Sequence, residues 1–145
     1  MLPMGYEYGF RKRLNVVKTR PQDWEEPRFD LTNFIRAVNQ LKQSCPIMLE
    51  EGPIKRLTPA PAAVVMLLKS SDTYTGQVLA VINTKRRARR LVLPDWEAVM
   101  GVPANAIVDL TPETVPLPLE ALRQITLEPA EIRLFYAPGN EKQKT

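Results

Sequence analysis

Proline is the strongest constraint on this chain. Fourteen of its 145 residues are proline, about double the usual one in twenty, and most lie beyond Pro46. Proline donates no backbone hydrogen bond and is confined in sheets to edges, strand starts and bulges. The second part of the chain is therefore expected to form short strands joined by stiff turns. At 44% apolar content the whole can bury one core of ordinary size.

The apolar runs follow that expectation. Ala62 to Lys69 and Gln77 to Asn83 are strand-length, with Ser70 to Gly76 as the turn between them, and they should pair antiparallel. Arg89 to Leu93 reads as a third strand, reached through Thr84-Lys85-Arg86-Arg87-Ala88. Ala106 to Leu110, a piece near Val115 to Leu117, and Ala121 to Leu127 are shorter candidates. Glu131 to Tyr136 alternates apolar and polar residues and should turn one face to a core. Closely spaced short strands argue a small antiparallel β-sandwich. The tail from about residue 138 is polar and expected to fray.

The first fifty residues have a different texture. Met1 to Gly5 reads as the end of a strand buried on both faces, opening into Tyr6-Glu7-Tyr8 between two glycines. A long aperiodic stretch with two prolines follows to Phe29, and loops of this length usually carry function or meet partners. Asp30 is then a good helix N-cap, and Leu31, Phe34, Ile35, Val38 and Leu41 recur at helical spacing before Pro46 stops the element. The spacing predicts one principal helix over about residues 30–43. Its apolar stripe must bury against something.

Composition narrows the chemistry. The chain lacks histidine, which removes imidazole acid/base pairs and histidine metal sites. Its one cysteine, Cys45, forms no internal disulfide and reads as a small packed residue. Neither a cofactor nor a metal site is expected. No apolar run of about 18 residues is present to span a bilayer, so no membrane partner is expected, and the reading is of a reducing, cytoplasmic setting. A net charge of +4 is a mild excess. Its focus, Lys85-Arg86-Arg87-Ala88-Arg89-Arg90, sits in a presumed hairpin connection, where a solvated charged turn is the default. With no RNA-binding aromatic signature beside it, the cluster weighs against nucleic acid as the main partner, leaving that as the lesser alternative.

Taken in order, these segments resemble one family. Pro3-Met4-Gly5-Tyr6-Glu7-Tyr8-Gly9-Phe10 resembles the Gly-x-Glu-x-Gly stretch after the eighth barrel strand of the α-amylase superfamily, glycoside hydrolase family 13. Thr19-Arg20-Pro21-Gln22-Asp23-Trp24 resembles the irregular loop that follows it. Asp30 to Lys42 resembles the eighth helix. Val78 to Thr84, and Glu128 to Phe135, resemble the central and terminal strands of the closing β-sandwich, domain C. The resemblance implies residues 1–50 as the remnant of the last β/α unit of a (β/α)8 barrel and residues 51–145 as domain C. It further implies a retaining mechanism with two carboxyl groups about 5 Å apart, on barrel strands that would all precede Met1. This chain alone is then expected to be inactive, a structural and accessory piece of an enzyme acting on an α-glucan or maltooligosaccharide, with the missing barrel portion as its partner.

The candidate substrate-binding residues are Tyr6, Glu7, Tyr8 and Trp24. Aromatic faces stack on sugars and Glu7 can accept hydrogen bonds from hydroxyls. The plainer alternatives are that both tyrosines pack the barrel rim, that Glu7 pairs with Arg11 or Arg13, and that Trp24 covers the top of the helix. Trp96 reads either as a surface sugar platform or as a packing anchor. A free-standing, non-catalytic glucan-binding sandwich is the alternative to the enzyme fragment.

Overall fold

In the computed structural model, residues 5–15, 17–71, 73, 76–92, 95–112, 114–118 and 123–139 are described, so the proposed strand at Met1 to Gly5 and the end of the tail lie largely outside them. The chain forms α1 (Thr32–Ser44), β1 (Ile54–Arg56), β2 (Val64–Ser70), β3 (Gln77–Asn83), β4 (Arg89–Val92), α2 (Trp96–Met100), β5 (Val108–Asp109), β6 (Gln124–Leu127) and β7 (Ile132–Ala137). Five strands make one antiparallel sheet in the order β1-β2-β3-β7-β5, and β4 pairs with β6 in a separate two-stranded ribbon. The expected hairpin of β2 and β3 is present, with Leu67 opposite Ala80.

The run at β3 is continuously apolar because both of its faces are covered. Leu79 and Val81 point into the main core, where Val64, Phe135 and Ala137 of the same sheet meet Trp96 and Met100 of α2, Ile107, and Ile125 and Leu127 of β6. Val78 points the other way, onto Cys45 and Ile47 in the turn after α1, with Met48, Leu110, Leu134 and Tyr136 packed around them. Burial pushes the Cys45 thiol pKa up and keeps the thiol protonated, as suits a packing residue.

Trp96 is 4% exposed and meets Phe135 edge-on, with ring centroids 5.2 Å apart. It is a core anchor, and the surface sugar platform is excluded for it. Three further expectations change. The basic segment after Asn83 is not a hairpin, because β4 leaves the first sheet and pairs with β6, Arg90 standing opposite Thr126. The helix begins at Thr32 instead of Asp30, whose carboxylate accepts from the Thr32 amide at 2.8 Å and its hydroxyl at 2.6 Å. These bonds, the hydroxyl's first, hold the Asp30 carboxyl below its usual range. No strand forms at Val115 to Leu117; that segment is held as a loop by Asp109.

Two polar groups tie the sandwich together. Asn83 is 1% exposed at the end of β3. Its Nδ2 faces the carbonyls of Arg87 (2.9 Å), Leu127 (3.2 Å) and Glu128 (2.9 Å), and its Oδ1 accepts from the Lys85 amide at 3.0 Å. At the other edge, Arg133 shares the inner face with Phe135 and reaches the Asp109 carboxylate at 3.2 Å and Glu131 at 2.7 Å. Asp109 also accepts from the Thr111 and Leu117 amides, which fixes the loop after β5.

Removing the Asn83 amide strands backbone groups of both sheets out of water. Asn83→Ala is expected to cost about 2–4 kcal/mol, on the order of 10 °C in Tm. Calorimetry that found less than about 1 kcal/mol would contradict the bridging role.

Candidate functional site

Gly5 and Gly9 adopt left-handed angles, φ 82° and 69°, and bracket a single 3-10 turn at Tyr6–Tyr8. Side chains resist that geometry, and a Cβ at Gly9 would lie 2.6 Å from the Phe29 ring. The turn is clamped to the base of α1: the Leu31 amide donates to the Glu7 carbonyl at 2.8 Å, and that of Arg28 to the Tyr8 carbonyl at 3.0 Å.

The loop to Phe29 is irregular but built. Glu25 accepts from the amides of Arg11 at 2.8 Å and Lys12 at 2.9 Å, and so folds the far limb of the loop back on the near one. The Asp23 carboxylate accepts from the Arg20 amide at 2.9 Å and closes a second 3-10 turn, Pro21–Asp23. The consequence is an aromatic cluster. Tyr8, Phe10 and Trp24 lie with centroids 5.6 Å (Tyr8 to Phe10), 6.2 Å (Tyr8 to Trp24) and 6.1 Å (Phe10 to Trp24) apart. Trp24 keeps half its surface in solvent, as does Tyr6.

The structure thus brings Tyr8 and Trp24 together, with Tyr6 beside them in sequence. Glu7 stands apart from this cluster. It lines an open groove of about 500 Å³ along α1, with Thr32, Arg36, Asn39 and Gln43. Among the described residues Glu7 makes no ion pair with Arg11 or Arg13, and Trp24 stacks on the loop's own rings, Tyr8 and Phe10. Phe10 was missed as the third ring. Its position one residue after the second glycine was the available signal.

The Arg11 amide, then that of Lys12 and nearby positive charges, hold the Glu25 carboxyl below its usual range. A general acid needs the opposite shift. No group of three or more acidic or thiol side chains placed to hold a metal occurs among the described residues, and none of their helices is long and apolar enough to cross a membrane.

No protein-family profile and no curated protein matches the sequence. Solved structures do. Trehalose-6-phosphate hydrolase (TreA) of Bacillus licheniformis superposes with a TM-score of 0.55 at 15% identity, over 74% of this chain and 18% of that one. Trehalulose synthase MutB of Pseudomonas mesoacidophila MX-45 gives 0.54 at 19% identity with the same coverage. A MutB point mutant from crystals soaked with trehalulose gives 0.56 at 20%. The chain has the fold of a segment of glycoside hydrolase family 13 enzymes. It spans less than a fifth of the length of these enzymes, and at such identities the likeness carries the fold and no residue roles.

Glu25 supplies a test of the loop's construction. A depressed pKa means that its contribution is complete above the unfolded value near 4.5 and is lost as pH falls through the lower, folded one. Carbon NMR of the Glu25 carboxyl should titrate below 4.5, with the Arg11 and Lys12 amide shifts following it. In Glu25→Gln those amide shifts should lose this titration; a midpoint at or above the ordinary value would refute the arrangement.

Proposed function

We propose that the chain corresponds to the C-terminal part of an α-amylase-superfamily enzyme acting on α-glucosidic bonds. In this reading residues 1–50 contribute the last barrel β/α unit and residues 51–145 form domain C. The observation that carries the proposal is the helix. None of the residues of α1 is buried; Phe34 and Val38 are 46% and 37% exposed, although they lie on its apolar stripe. Burying two such side chains is worth about 1.5–3 kcal/mol each, and an apolar stripe left in water is a liability. The superposed enzymes extend far beyond the shared segment, and a barrel wall is the element that would cover a helix of this kind.

On this reading the reacting carboxylates stand on barrel strands outside the chain, and the role of this part is to shield and stabilise the barrel. The parent would be a glycosidase or a transferring enzyme, with an α-glucan or maltooligosaccharide as substrate and the cytoplasm as its setting. The isolated chain should bind a hydrophobic dye and self-associate as concentration rises. Phe34→Ser with Val38→Ser should reduce both without lowering Tm. A monodisperse monomer that binds no dye, or measurable turnover of maltooligosaccharides by the chain alone, would overturn the proposal.

A second reading is favoured by the aromatic cluster. Tyr6, Tyr8 and Trp24, two of them half in solvent, would give a free-standing module a platform for glucan rings. Calorimetric titration with maltoheptaose separates the two. Saturable binding lost in Trp24→Ala supports a glucan-binding module; the fragment reading expects flat heats, because one wall of a cleft holds sugar weakly.

A further inference from the structure

The segment joining β3 to β4 carries Lys85, Arg86 and Arg87, and β4 opens with Arg89 and Arg90; the five fall within six positions and all are exposed. The ion pairs among the described residues are those of Arg133 with Asp109 and Glu131, so no described carboxylate neutralises any of the five. Glu128 lies near them, its carbonyl on the same Asn83 amide, and makes no ion pair with them there. Like charges at this density repel one another, yet the backbone beneath them is fixed. Asn83 holds the Lys85 amide and the Arg87 carbonyl, and the Ala130 amide meets the Lys85 carbonyl at 3.4 Å. A rigid turn is presenting an unbalanced positive field.

The array continues onto the β4–β6 ribbon. Arg90 faces outward opposite Thr126, and its guanidinium donates to Gln124 Oε1 at 2.7 Å. Arg123 stands exposed at the start of β6. Arg89 pairs with Leu127 and so leaves from the opposite face of the ribbon. The cations therefore fan around a narrow two-stranded edge and do not lie in one plane, as a bilayer surface would favour. A ribbon of two strands fits the major groove of a duplex, where cations on its turn can meet the flanking phosphates. The patch contains no aromatic ring on which unpaired bases could stack, which argues against single strands.

We propose that the turn of residues 84–88 and the β4–β6 ribbon form a sequence-independent binding surface for the phosphate backbone of double-stranded nucleic acid. It stands on observations separate from the carbohydrate reading. The test is fluorescence anisotropy of the full chain with a labelled 20-base-pair DNA at several salt concentrations. Affinity should fall on the order of 10²-fold between about 50 and 200 mM salt, with a log–log slope of about −3 to −5. Arg86→Gln with Arg87→Gln and Arg90→Gln should make that slope shallower by about 2–3 while Tm holds, and the corresponding lysine triple should retain it. Lys55→Gln with Arg56→Gln, on the far edge strand β1, should change nothing. Should the glutamine triple fail to fold, the lysine triple and the β1 pair still decide, since the proposal needs the first and not the second to carry the charge. Absence of saturable binding near 50 mM salt, an unchanged slope in a folded glutamine triple, or binding to phosphatidylserine vesicles without binding to DNA would each overturn it. So would a glutamine triple that pairs edge to edge into oligomers with DNA affinity intact, because the charges would then serve only to keep the open edge of β4 apart.

Discussion

Everything in the sandwich depends on one carboxamide. Two sheets of five and two strands share a core but no backbone ladder, and the chain must cross from one to the other after β3. Asn83 sits at that crossing with 1% exposure, and its own backbone amide donates to the Glu131 carbonyl at 2.9 Å. Its side chain needs a donor end for the carbonyls of Arg87, Leu127 and Glu128, and an acceptor end for the Lys85 amide. Only an amide offers both. Aspartate would turn an acceptor toward three carbonyls, and leucine would leave all four backbone groups stranded. The same bonds fix the basic turn, so the feature that closes the core also orders the most charged stretch of the surface.

The second dependency runs through the large sheet. Because β3 is apolar on both faces, something must cover its outer side, and the turn after α1 does so with Cys45 and Ile47. That anchors the C-terminal end of α1. Its other end is fastened by the 3-10 turn at Tyr6–Tyr8, through the Glu7 and Tyr8 carbonyls. Between these two fastenings none of the helix's own residues is buried among the described residues. A helix usually owes its stability to packing of its apolar face; here Leu31, Ile35 and Leu41 of that face are half-buried while Phe34 and Val38 stay exposed.

What was legible in the sequence followed from periodicity and local chemistry. The stripe from Leu31 to Leu41, the paired runs at β2 and β3, and the alternation at β7 each carry their pattern within one segment. What was not legible is short or non-local. β1 is three exposed residues that become a strand only by pairing with β2. α2 has five residues, too few for a period, although Asp95, which accepts from the Glu97 amide, and Gly101 at φ 67° mark its two ends. The partnership of β4 with β6 spans some thirty-five residues and left no local trace, which is why a hairpin was expected after Asn83. In the candidate site the glycines announced the turn at Tyr6–Tyr8. The clamp of Glu25 on the Arg11 and Lys12 amides, which makes an aromatic cluster of Tyr8, Phe10 and Trp24, did not show, because it joins residues whose spacing obeys no period.

Six of the described acids act as local fasteners of the fold. Glycoside cleavage of the retaining kind needs two carboxyls close together, one of them with a raised pKa. Here Asp23 and Glu25 close loop turns by accepting from backbone amides, Asp109 and Glu131 are bound to Arg133, and Asp95 and Asp30 sit at helix starts. The amides of Arg11 and Lys12 hold the Glu25 carboxyl below its usual range, and the Thr32 hydroxyl and amide do the same for Asp30. Each of these carboxylates is committed to holding backbone or arginine in place, and that is the chemistry of a scaffold.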